Sequence, residues 1–241
     1  MENPPDESPA MRSRLSFLRT RSLSFLLSTN LPAVIFLLVL YFVSSLKGRS
    51  FSDLAEDPVA ISRSRAIEAA KPELGLRPWE GIVSNLGNLL WCSSATLCLF
   101  TALSLRRSGC DRTLANCLLA LGLLTVVLLV DDFFLLHDHT FPLRFGIRQK
   151  WLLLCYGAMA LSILTGFWRT ILKSRFSLLG AALFFFAVSL YVDRSFPKTT
   201  NFSHFAEDGS KFLGIANWFA YLASTSFQGI RALPTASPPR A

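Results

Sequence analysis

The sequence predicts an all-α, polytopic integral membrane protein, a bundle of six transmembrane helices with both termini in the cytoplasm. Three observations carry this. The 241 residues are 51% hydrophobic and 17% charged, with a mean hydropathy of +0.42, against about 25% charged residues in an ordinary soluble domain. About half the chain falls in six runs without a charged side chain. The net charge of +8 is confined to one set of the segments between the runs.

The runs are Ser22–Leu46, Gly81–Leu105, Thr113–Val130, Trp151–Trp168, Phe176–Val192 and Phe212–Ile230. Roughly 17 to 25 apolar residues cross a hydrocarbon core, and a soluble helix would interrupt such runs with a polar face every few positions. With flanking residues added, the spans are expected over 22–46, 81–105, 113–137, 149–168, 176–193 and 208–230. Residues 1–21 form a cytoplasmic basic segment, and 231–241 a cytoplasmic Pro-rich tail. The first run follows an Arg- and Ser-rich stretch that resembles a transit peptide. It is long for a signal peptide and lacks a small-x-small cleavage site, so it reads as a retained anchor. The last run is the most dilute, since it carries Asn217, Ser224, Thr225, Ser226 and Gln228.

An even number of spans places 1–21, 106–112, 169–175 and 231–241 on one side. These segments hold a net +8, whereas 47–80, 131–150 and 193–211 balance to zero. The Lys/Arg-rich side is the cytoplasm by the positive-inside rule. The charge therefore orients the chain in its membrane and gives no nucleic-acid footprint. Trp79, Trp151 and Trp168 fall at run ends, where indoles favour the headgroup layer. The plasma membrane of a bacterium is the expected location, with an organelle membrane as the alternative. All five cysteines lie in spans or in the cytoplasmic loop, without CxxC pairs, so packing is their expected role.

The outer side carries His137, His139 and His204 and most of the carboxylates. Span three continues into Asp131-Asp132-Phe-Phe-Leu-Leu-His137, and its apolar segment predicts a helix running on to His137. Both aspartates would then lie near the outer hydrocarbon boundary, where a carboxylate must be protonated, paired or metal-bound. On a straight helix Asp132 and His137 point about 140° apart, so they meet only if the helix ends or bends. Before span six, His204, Glu207, Asp208 and Lys211 share one helix face, continued by Gly214, Trp218 and Tyr221. Glu80, Ser84 and Asn88 form a polar stripe entering span two, and Ser189 and Asp193 close span five. Asn201-Phe-Ser203 matches a glycosylation sequon.

Two functions follow from this placement. The first is a multi-pass membrane protein with an acidic and histidine cluster on its extracytoplasmic face, for a metal or for docking a membrane-protein partner. The second is a metal-dependent intramembrane hydrolase acting on lipid or lipid-linked substrates. In it Asp132, His137, His204 and Asp208 are the candidate ligands of a divalent ion, zinc by preference. Asp131 or Glu207 is the general base for a metal-bound water. In architecture the chain resembles the multi-span hydrolases that include the alkaline ceramidases, which also combine Ser, Asp and His at helix ends. It shows six runs where those have seven, and no HxxxH. No mid-span charge is present, which weakens a transporter reading.

Overall fold

The computed structural model describes residues 9–48, 50–56, 79–196 and 200–233, with backbone alone for 9–22 and 138–139. Residues 234–241 of the Pro-rich tail, residues 57–78 and the side chains of the basic flank lie outside the described residues. Everything described is helical or connecting. The elements are α1 (Pro9–Leu46), α2 (Ser52–Ala55), α3 (Ile82–Arg107), α4 (Arg112–Phe133), a π-helical turn (Leu136–Thr140), α5 (Phe141–Phe145), α6 (Gln149–Gly166), α7 (Trp168–Lys173), α8 (Phe176–Ser195) and α9 (Asn201–Arg231).

Four segments are long and apolar enough to cross a membrane: Leu23–Leu46 within α1, then α3, α4 and α8. The remaining two long helices, α6 and α9, are not among these, and they differ in where they pack. Three of the five polar residues that dilute α9 face inward, Asn217, Thr225 and Ser226, beside buried Trp218 and Tyr221; Ser224 is half-buried and Gln228 exposed. α9 is the centre of the bundle, packed on α1, α2, α3, α4 and α8. α6 sits at the edge with no buried residue.

The interior is held by close helix approach and by hydrogen bonds between helices, the two devices that work where lipid removes most of the hydrophobic driving force. A Cβ on Gly122 of α4 would lie 3.0 Å from the Cys98 Cβ of α3, and one on Gly214 of α9 would lie 2.6 Å from the Phe186 ring of α8. That ring stacks on Trp91 of α3 at 5.9 Å, and Trp91 meets Trp218 edge-on at 6.2 Å. Trp218 donates its indole N–H to the Thr125 hydroxyl at 3.0 Å. Asn30 of α1 and Asn217 exchange amide hydrogen bonds in both directions, at 3.0 and 2.7 Å. A smaller cluster, Leu37, Phe51, Ala55, Val83 and Phe212, anchors the α1–α2 corner.

Three expected boundaries move. α9 begins at Asn201 rather than 208, because the Thr200 hydroxyl caps it by accepting from the Ser203 N–H. Glu207 and Asp208 are therefore past its first turn. The fourth expected span breaks at Phe167 into α6 and α7. The third, expected to run on to His137, ends as an α-helix at Phe133. Leu135 adopts φ 49°, a left-handed conformation that a leucine takes only against steric cost.

Candidate functional site

The break at Leu135 builds the most organised polar group in the molecule. After the reversal the π-helical turn folds His137 back over the last turn of α4. Its backbone N–H donates to Asp131 Oδ1 at 3.0 Å, and its Nδ1 lies 2.5 Å from Asp131 Oδ2. From α6 the Tyr156 hydroxyl donates to Oδ1 at 2.8 Å. Asp131 is 5% exposed, and these contacts let a carboxylate occupy that position without an uncompensated charge. The bend that the sequence requires for an Asp–His meeting is thus present. It brings Asp131, rather than Asp132, to His137.

Asp132 is one residue further on, turned about 100° around the helix. It faces α9 instead, where Lys211 Nζ lies 2.5 Å from its Oδ1. Lys211 stands on the expected α9 stripe, and lower members of that stripe, Gly214, Trp218 and Tyr221, are buried against the other helices. At the top of the stripe His204 Nδ1 lies 3.7 Å from Glu56 Oε1, just after α2. Glu207 and Asp208 are half-buried between these two points.

The residues expected to hold zinc are therefore divided among separate contacts: His137 with Asp131, Asp132 with Lys211, His204 with Glu56. Among the described residues no three His, Cys, Asp or Glu side chains gather as a metal-holding group. The side chains of Asp138 and His139 lie outside the described residues. Each pair joins two elements, so together they tie the π-helical turn, α4, α9 and the α2 end, and Tyr156 adds α6 through Asp131.

The other polar residues singled out in the sequence are structural in placement. Glu80 is buried beside the α3 start, where the Gly81 N–H donates to the Asp53 carbonyl at 3.0 Å. Asn88 is buried, with its Oδ1 lacking a hydrogen-bond partner among the described residues. Asn201 of the sequon accepts from the Ser50 hydroxyl at 2.9 Å and the Phe51 N–H at 3.3 Å.

The opposite end is basic. Arg106 and Arg107 close α3, Arg112 opens α4, and Arg169, Lys173 and Arg175 surround α7. Arg106 donates to Asn116 Oδ1 at 2.7 Å. Asp111, the one acid there among the described residues, caps α4 by accepting from the Leu114 N–H at 3.0 Å.

Sequence reasoning missed Tyr156, Glu56 and Asn30. Tyr156 and Asn30 were visible as lone polar groups inside apolar runs, which calls for a partner on another helix. Glu56 gave no local signal, because its partner is 148 positions away.

No curated protein and no solved structure matches the chain. A family model covers residues 31–225, a span that contains Asp131, Asp132, His137, Tyr156, His204 and Lys211 and omits the basic flank and the Pro-rich tail. The chain belongs to that family, described as a domain of unknown function (DUF8692).

Proposed function

We propose that the chain is a six-span membrane protein with both termini cytoplasmic, and that its extracytoplasmic end is a docking face organised around Asp131, His137 and Tyr156. The span count rests on α6 and α9 joining the four apolar helices. At 18 and 31 residues they extend about 27 and 46 Å. α9 tolerates polar groups because other helices, not lipid, surround it. The orientation rests on the one-sided Lys/Arg excess.

The observation that carries the site is the buried Asp131 carboxylate, which accepts from the His137 backbone N–H and the Tyr156 hydroxyl and lies 2.5 Å from His137 Nδ1. With Nδ1 lying against Asp131, Nε2 is the atom that exchanges a proton or meets a polar group of a partner membrane protein or lipid. The left-handed Leu135 that makes this geometry is the kind of local strain that concentrates at functional sites.

The same pair supports a second reading, lipid hydrolysis, in which Asp131 positions His137 and His137 is the general base. This reverses the expected role of Asp131. The two readings separate in lipid nanodiscs containing the full-length protein, with released fatty acid or headgroup followed by mass spectrometry. Hydrolysis requires turnover that falls about 10² to 10⁴-fold in His137→Ala. The docking reading expects no turnover in either protein, and a His137 NMR titration that moves in Asp131→Asn. A His137 titration identical in both proteins contradicts the proposed network.

A further inference from the structure

At the basic end, α6 stops at Gly166, the chain turns at Phe167, and the short α7 leads into α8. The turn leaves an open groove of about 330 Å³ lined by Leu164, Trp168, Leu172, Phe176, Leu179 and Leu183, without a polar side chain. Gly180 of α8 also borders it, and nothing lies within 4 Å of where its Cβ would stand. The groove is of the size of small-ligand sites. It is a shallow, open groove along two helices, so its shape alone does not choose the occupant and the charges at its rim decide.

The charges around this groove are of one sign. Arg169 and Lys173 are exposed on α7, and Arg175 immediately precedes α8. No acidic residue occurs between Asp138 and Asp193. Arg169 lies over the Trp168 ring at 5.5 Å, at the groove's edge, and Arg175 lies over Phe25 of α1 at 3.4 Å. Basic pockets between helices at a cytoplasmic boundary suit anionic headgroups, and a tryptophan at the rim suits the headgroup layer.

We propose that this groove binds an anionic phospholipid, one acyl chain lying along α7 and α8 and the phosphate held by Arg169 and Lys173. A zwitterionic lipid would fill the groove but gain little from the cations. A second copy related by a twofold axis would set the same basic rim against itself. The inference rests on the proposed six-span orientation, which sets α7 at the cytoplasmic boundary, and is independent of the Asp131 site.

The test uses the full-length protein in nanodiscs of phosphatidylcholine alone or mixed with phosphatidylglycerol, followed by native mass spectrometry of retained lipid. The wild type should retain phosphatidylglycerol in preference to phosphatidylcholine. Arg169→Ser with Lys173→Ser should reduce that preference by roughly fivefold per cation removed. Gly180→Leu fills the groove and should lower retention of both lipids while helix content by circular dichroism is unchanged. Equal retention of the two lipids by the wild type would overturn the proposal. So would undiminished preference in the double variant, unchanged retention in Gly180→Leu, or a dimer of the wild type that Gly180→Leu dissociates.

Discussion

α6 and α9 share one bundle and contradict the soluble-protein rule in complementary ways. α6 contains WLLLCYGAMALSILTG and has no buried residue; α9 carries Asn217, Ser224, Thr225, Ser226 and Gln228 and lies at the centre. In water the apolar helix would be the core and the polar one the surface. If α6 spans as proposed, its surroundings are apolar, and the buried amide of α9, Asn217, has its partner on a neighbouring helix, Asn30 of α1. The difference teaches that polarity within a span marks contact with protein, while uniform apolarity marks contact with lipid.

The largest effect expected from breaking this contrast comes from glycine. Gly214→Leu would drive a side chain into the Phe186 ring, which already stands 2.6 Å from a Cβ position, and overpacking of that kind costs about 1–3 kcal/mol. Gly157→Leu on α6 meets nothing within 4 Å and should change stability by less than about 0.5 kcal/mol. Thermal unfolding in detergent compares the two directly. Equal losses would show that α6 is as tightly packed as α9.

Next is the amide pair. Asn217→Leu leaves the Asn30 Oδ1 without its donor, although Asn30 Nδ2 keeps the Leu26 carbonyl at 2.9 Å, and should cost roughly 1–2 kcal/mol. Asn30→Leu added to it should cost less than the sum, because a polar group without a partner is then gone. A double-mutant cycle reads this, and strict additivity would break the claim that the two amides serve each other.

A smaller loss, about 0.5–1.5 kcal/mol, is expected for Tyr156→Phe, which removes one donor from Asp131. The substitution tests a polar contact that ties α6 to α4. Unfolding that is unchanged in Tyr156→Phe would mean that α6 is held by packing alone. Comparable is Lys211→Met, about 1 kcal/mol: the Lys211 side chain is 44% exposed, which weakens the pair, but the Asp132 side chain it leaves behind is only 13% exposed. Its loss should also shrink further at high salt, as measured by the salt dependence of unfolding.

The fold was legible because lipid imposes a crude, one-dimensional demand: the helices of the structure cover all six charge-free runs. Boundaries were less legible where a break leaves no compositional trace. Phe-Phe-Leu-Leu is apolar whether it continues α4 or reverses at Leu135, so the stop at Phe133 could not be read from residue type. The site was legible in part. Asp131, Asp132 and His137 stood out as costly groups at a helix end, and the need for a bend followed from helical rotation. Which acid met the histidine depended on that bend's direction. Tyr156 and Glu56 belong to contacts that close only when distant helices pack, and a cluster of acids and histidines in sequence looks alike whether it converges on one ion or divides into pairs.

The account depends on α6 and α9 crossing the membrane as α1, α3, α4 and α8 are long and apolar enough to do. Single cysteines in an otherwise cysteine-free chain, labelled in intact cells with a membrane-impermeant maleimide, test this. Cysteines replacing Thr140 and Thr200 should label from outside, and those replacing Ser108, Lys173 and Ala232 only after permeabilisation. Labelling of positions 140 and 173 from the same side, or of 200 and 232 from the same side, would contradict the six-span bundle.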